Sequence, residues 1–263
     1  MSALSKALDL LGYFSPNRAE IGLSQFRLLS GRDKATTYRY LSALESAGLV
    51  EKNPTTRAYR IGPAVLHLAA MREATVPRVA SANRSLTALA EATGESAHIS
   101  VLSGDALHSL CACESDRHRT RAVIDIPILP LHATASGICV LAFGPADLIN
   151  AARQNMTRFT KFTATSADRL TEAVDQARET GFGLSNRGLE EDIYGLATPV
   201  FDGSGQLAGA VAVASVASRV TSTSEAEIKR NLIIASREIT HSWGGFIPEA
   251  VETCWSRSLT TSN

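Results

Sequence analysis

Apolar residues recur at helical spacing from the start of the chain. Leu4, Ala7, Leu8, Leu11 and Phe14 form one stripe, which predicts an amphipathic helix over residues 4–14. Ser15-Pro16-Asn17 breaks it, and Leu23, Phe26, Leu28 and Leu29 predict a second short helix stopping near Gly31. Asp33 is placed as the N-cap of a third helix, from about Lys34 to Ala47, with Leu41, Leu44 and Ala47 on one face and Gly48 at its end. Two short strand-like pieces follow, Leu49–Glu51 and Ala58–Ile61, around a turn at Asn53-Pro54-Thr55-Thr56. Three helices and a hairpin make a winged helix-turn-helix over residues 1–62. A linker helix is expected over 63–75, and a second helix from about Pro77 to Thr93 carries Leu86, Leu89 and Ala90. Strands are predicted at Ile99–Leu102 and Leu107–Cys111, and a hairpin at Leu196–Phe201 and Leu207–Ala214 across Asp202-Gly203-Ser204-Gly205. Helices are expected at Ala135–Phe143, Ala167–Thr180 and Glu225–Trp243. Strands mixed with helices predict an α+β domain with an antiparallel sheet over 76–247. Residues 248–263 are expected to be a mobile polar tail.

Composition adds little until it is divided along the chain. The 263 residues carry no net charge. Residues 1–62 hold nine Lys/Arg against five Asp/Glu, net +4, while the remainder holds 17 against 21, net −4. A basic head on an acidic body suits a polyanion-binding module joined to another function. No run of 18 apolar residues offers a membrane span, and the first residues do not read as an export signal. Four cysteines are too few for a disulfide scaffold of this length, so a cytoplasmic protein with reduced thiols is expected.

A helix that enters the major groove presents short polar and basic side chains from its first turns. The third helix begins Lys34-Ala35-Thr36-Thr37-Tyr38-Arg39. Arg39 suits a guanine edge or a phosphate, Thr36 and Thr37 a phosphate or a thymine methyl, and Tyr38 a phosphate or sugar. Lys34 joins this set, and Arg57, in the hairpin turn, suits a wing lying along the backbone or minor groove.

These segments resemble the isocitrate-lyase-regulator (IclR) family. The likeness is carried by Ser5-Lys6-Ala7-Leu8-Asp9-Leu10-Leu11, by Lys34 through Glu45, by Gly48-Leu49-Val50-Glu51 and by Tyr59-Arg60-Ile61-Gly62. It continues through Pro130-Leu131-His132-Ala133-Thr134-Ala135-Ser136-Gly137, Gly181-Phe182-Gly183 and Ala197-Thr198-Pro199-Val200-Phe201-Asp202. The resemblance implies a winged helix-turn-helix, a linker helix and a GAF-like effector domain. It also implies a dimer or dimer of dimers on operator DNA, and a small-molecule effector.

Carried over by similarity, the effector cup would be lined by Ala135, Ser136, Gly137, Ser185, Gly195, Ala212 and Ala214, with His118 and Arg121 nearby. Backbone N–H groups of Ser136 and Gly137 would hold a carboxylate or carbonyl oxygen, and Arg121 would supply charge for an anion. Relatives that take small polar keto acids often have Asp, Cys, Ser and Ser where this chain has Ser185, Gly195, Ala212 and Ala214. The family's lysine after the loop glycine is Ile138 here. The smaller, less polar lining predicts a roomier apolar pocket for an aromatic or carboxylate compound.

Other chemistry is weaker. Cys111 and Cys113, two apart on a strand, share a face with His98 or His108 in reach, but their spacing is wrong for zinc and no second pair exists; they are expected to be buried thiols. His132 near Ser136 and Cys139 suggests a hydrolase, yet no Gly-x-Ser-x-Gly elbow or third orienting group is legible, so His132 is expected to support its loop. Gly203 to Gly209 lacks the lysine of a nucleotide loop and reads as a hairpin. No cofactor, metal or catalytic residue is expected. The alternative is an enzyme acting through the C-terminal domain.

Overall fold

The computed structural model describes residues 2–15, 17–123 and 125–260. They form two compact units, 1–77 and 78–263. Pro16, in the break expected after the first helix, lies outside the described residues; Ser15 and Arg18 on either side exchange backbone hydrogen bonds of 2.8 and 3.3 Å.

The first unit runs α1 (Ala3–Leu8), a 3₁₀ turn (Asp9–Tyr13), α2 (Leu23–Ser30), α3 (Lys34–Ser46), β1 (Val50–Lys52), β2 (Tyr59–Ile61) and α4 (Ala64–Thr75). Each boundary has a local cause. Gly31 ends α2 in the left-handed conformation (φ +63°), and the Asp33 carboxylate accepts the Thr36 N–H at 2.9 Å to start α3. That hydrogen bond holds the Asp33 carboxyl below its usual range. Leu10, Ile21, Phe26, Leu41 and Tyr59 are fully buried at the centre of the unit. Phe26 meets Tyr13, Phe14 and Tyr59 edge-on. The hairpin pairs Val50 with Ile61, and Ile21 adds a single rung beside Tyr59. No residue of α4 is buried within this unit, and Leu66, Leu68 and Met71 are exposed.

The second unit is a five-stranded antiparallel sheet in the order β4-β3-β7-β6-β5. Its strands are β3 (Ser96–Ser103), β4 (Ala106–Cys113), β5 (Gly183–Asn186), β6 (Ile193–Phe201) and β7 (Leu207–Val216). One face packs α5 (Arg78–Thr93) and α9 (Ser222–Ser242) onto Ala97, Ile99, Leu196, Val211 and Val213. The other packs α6 (Ala135–Phe143) and α8 (Ala167–Thr180) onto Ala197, Ala210 and Ala212. Alternate residues of a strand point to opposite faces, so β6 and β7 give large side chains to one core and small ones to the other.

Three elements depart from the sequence-based expectation. The short edge strand β5 and helix α7 (Leu148–Gln154) are additional. More consequentially, Glu249–Thr260 is helix α10, not a polar tail. Val251 and Trp255 are buried, at helical spacing, and the Trp255 indole N–H donates to Gly181 O at 3.1 Å. Arg237 of α9 pairs with Glu252. Residues 261–263 lie outside the described residues. Cys111 and Cys113 are half-buried on β4 instead of buried, because β4 is the edge strand. Among the described residues no helix is long and apolar enough to cross a membrane.

Candidate functional site

The first unit carries a polar, basic face. Lys34, Tyr38 and Arg39 are exposed on the opening turns of α3, and Thr36 is partly exposed. Thr37 corrects the expectation: it is fully buried, and its hydroxyl donates to Asp33 O at 2.8 Å. Thr37 precedes Leu41 by about one helical turn and so falls on the stripe with Tyr40, Leu41 and Leu44 that faces the core. Arg57 sits exposed at the wing with φ +61°, a left-handed conformation rare for a non-glycine residue. The turn that holds it is braced: Asn53 Nδ2 donates to Glu20 at 2.8 Å, and the Thr56 hydroxyl donates to the other oxygen at 3.0 Å. These two hydrogen bonds hold the Glu20 carboxyl below its usual range. Among the described residues no ion pair engages Lys34, Arg39 or Arg57, whereas Arg32 pairs with Asp9 and Arg60 with Glu51. Lys6, Arg18, Arg27 and Lys52 likewise form no ion pair among the described residues, so most of the head's cations, those of the helix start and the wing included, are left for an outside polyanion.

The second unit carries a cavity of about 70 Å³ between the sheet and the start of α6. Six predicted residues line it: Ala135, Ser136, Ser185, Gly195, Ala212 and Ala214. Three others do not. Gly137 is buried one position on, and its N–H is taken by the Thr134 hydroxyl that caps α6, at 2.9 Å. His118 borders a separate surface depression with Glu95 and Arg219. Arg121 is paired with Glu114 and is absent from the cavity wall. The charge expected from Arg121 is therefore spent elsewhere, because its neighbour Ala122 turns inward in its place. Ser185 is also committed, donating to Ala133 O at 2.7 Å.

Close backbone approach shapes the cavity. A Cβ on Gly183 would lie 2.3 Å from Ala135 O, and one on Gly137 would lie 2.4 Å from Leu131 O. These two glycines let β5 and the 130–134 loop touch α6 directly, while alanines on β7 leave space above the sheet. The rest of the wall is mostly apolar, with Val123, Ile126 and Leu129 from the stretch before α6, Leu189 ahead of β6 and Ile193 at its start.

His98 is the residue that the sequence suggested only as a metal partner. It lies on β3, 8% exposed, with Nε2 3.2 Å from Ser136 Oγ and with Nδ1 lacking any partner among the described residues. Burial depresses its pKa to about 4, so the ring is neutral at pH 7. A signal was present in the chain: Ser96, His98 and Ser100 alternate with Ala97, Ile99 and Val101. All three polar residues are buried, but Ser96 donates to Ala122 O and Ser100 to Ala210 O, which leaves His98 alone with an unmet atom. His132, by contrast, donates to Thr157 O at 2.8 Å and stacks on Phe159, holding its loop. Among the described residues no cluster of His, Cys, Asp and Glu has metal-binding geometry.

Residues 3–54 match the IclR helix-turn-helix domain, and residues 74–241 match the bacterial transcriptional regulator IclR C-terminal domain. The regulator BhcR of Paracoccus denitrificans is 30% identical, across 90% of this chain and 86% of its own. An IclR-type regulator from Silicibacter sp. TM1040 superposes with a TM-score of 0.86 at 39% identity, across 95% of this chain and 99% of its own. An IclR homologue from Microbacterium hydrocarbonoxydans, solved with 4-hydroxybenzoate, shares the fold at a TM-score of 0.75 and 18% identity, over 92% and 99%. The chain carries both domains in order, an HTH head and an α+β body with an antiparallel sheet, and it belongs to the IclR family of bacterial transcriptional regulators.

Proposed function

We propose that this protein is a cytoplasmic, ligand-responsive repressor of a catabolic operon, acting as a homodimer or dimer of dimers. Residues 1–62 bind operator DNA, 63–75 link, and 76–247 sense the effector. The observation that carries the reading is the exposure of Lys34 and Arg39 on the opening turns of a groove-sized helix and of Arg57 on its wing, none of them in an ion pair among the described residues. Repression needs only occupancy of the promoter by such a head, whereas activation needs a further surface for polymerase. Half-sites must match the helical repeat, so a ligand that alters the spacing of paired heads alters operator affinity.

The effector in this reading is a small compound with an apolar, aromatic body and one polar end. The wall of the cavity supports it, being mostly alanine, valine, leucine and isoleucine. The cavity is smaller than the ~150 Å³ that holds a benzene in other proteins, so a ring enters only as the wall at Val123, Ile126 and Leu129 yields.

One observation favours a second reading. Ser136 and His98 form a serine–histidine contact at 3.2 Å, the first half of a hydrolytic arrangement. The imidazole lacks the acidic partner that orients such a base, since Nδ1 has no hydrogen-bond partner among the described residues. A single experiment separates the readings: operator binding measured by fluorescence anisotropy with and without candidate effectors, followed by recovery of the ligand. A regulator releases or tightens on DNA and returns the ligand unchanged. Conversion of the ligand, or DNA binding indifferent to sequence, refutes the proposal.

A further inference from the structure

We propose that the cavity takes an uncharged ligand whose one polar group docks on the His98–Ser136 pair at the head of α6. This inference rests on the reading of the cavity as the effector site.

Among the described residues that line the cavity, only His98 and Glu190 are ionisable. Glu190 is exposed at the cavity's edge and carries the wrong sign for an anion. Arg121 pairs with Glu114. His98 is a neutral imidazole, with one donor and one acceptor to offer. Its two tautomers differ in consequence. If the Ser136 hydroxyl donates to Nε2, then Nδ1 carries a buried proton with no acceptor, the rarer and costlier orphan. If Nε2 donates to Ser136 Oγ, the Ser136 hydroxyl proton is released for a ligand atom. The second arrangement is the cheaper one, and it arms the pair as a donor.

The helix start adds to this. Thr134 caps Gly137, and the amide of Ile138 reaches Thr134 O, so Ala135 and Ser136, both on the wall, keep N–H groups without an intrahelical acceptor. One hydroxyl and two amides, all uncharged, suit a carbonyl, amide or hydroxyl oxygen. A carboxylate would surrender its hydration here for hydrogen bonds without a counter-charge, beside Glu190. The partial charge of a nine-residue helix returns only part of that loss.

The test is calorimetry and thermal shift on the full-length protein with pairs matched in shape and differing in charge: butyramide and butyrate, benzamide and benzoate, 4-hydroxybenzamide and 4-hydroxybenzoate. Within at least one pair the amide is expected to bind tenfold or more tighter. For that amide, Ser136→Ala and His98→Leu are expected to weaken binding at least tenfold, whereas His98→Gln, which keeps a donor and an acceptor, stays within threefold. Unliganded melting curves of the variants separate loss of binding from loss of fold, and Ser136→Ala decides the matter should His98→Leu not fold. A carboxylate binding as tightly as its amide, or tighter, overturns the uncharged ligand while the effector cavity stands. Amide binding unaffected in Ser136→Ala overturns the anchor. Failure of all six compounds to bind the protein or shift its operator affinity overturns both the inference and the effector reading on which it rests.

Discussion

Thr36 and Thr37 are neighbours of the same chemistry, and one helical step separates their fates. Thr37 is fixed in the head's core by its hydrogen bond to Asp33 O, while Arg39 stands exposed two residues later. Thr37→Val should therefore lower the stability of the head by about 1 kcal/mol and leave operator affinity of the folded protein near wild type. Arg39→Ala should do the reverse, costing about 1–3 kcal/mol of specific binding with an unchanged melting temperature. Parallel denaturation and anisotropy titrations of the two variants check the pair. His98 makes a second prediction at this scale. Its pKa is about 4 in the fold and near 6.5 when unfolded. The unfolded chain thus binds the extra proton first, and stability falls as pH drops from about 6.5 towards 4, by roughly 3 kcal/mol in all. Above pH 7 the residue contributes no slope. His98→Gln should flatten melting temperature against pH across that window; an unchanged slope would mean that the ring is not held neutral. Sequence inspection found the exposed residues of α3 by type, but Thr37 and His98 depended on side-chain direction, which a pattern of types states only approximately.

Among the elements, α10 is the clearest departure from expectation. Val251, Trp255 and Leu259 recur every fourth residue, as on a helix stripe, yet the charged and hydroxyl residues between them made the segment read as a polar tail. What settles the helix is its landing place. Gly181 ends α8 with φ +82°, and a Cβ there would lie 2.3 Å from the Trp255 ring. The glycine that the sequence marks as a helix stop is also the floor of a tryptophan pocket. Trp255→Ala should cost the second unit about 3–5 kcal/mol, read as a lower urea midpoint without change in the melting of the head. An equal midpoint would mean that α10 is a dispensable ornament. The strands show the same division. β6 and β7 were legible because their apolar runs flank a turn-forming Asp-Gly-Ser-Gly. β5 has four residues at a sheet edge, too few to leave a period, and exists because β6 offers it a ladder from Ala197 to Tyr194.

For the whole molecule, charge is the property most plainly written in the chain. The head carries net +4 and the remainder −4, so operator binding should weaken steeply as salt rises, by counterion release from neutralised phosphates. Replacing Arg57 by glycine preserves its left-handed backbone and removes the cation. Arg57→Gly should reduce the slope of log affinity against log salt by about 1 for each phosphate that Arg57 neutralises, measured by anisotropy across a salt series. An identical slope would take Arg57 out of the interface. The sequence by itself determined the two-part organisation, the recognition-type helix with its Asp33 cap, the wing turn and the late hairpin, because these depend on periodicity and turn chemistry, whereas the small-residue lining at Gly195, Ala212 and Ala214 followed from the resemblance to the IclR family. Tertiary structure alone decided that Arg121 and His118 leave the cavity, that Gly137 spends its amide on Thr134, and that His98 faces Ser136. Those outcomes join residues well separated in the chain, as Arg219 is from His118 and Ser136 from His98, or turn on one cap, and a buried polar group is satisfied or left wanting only by what packing brings beside it.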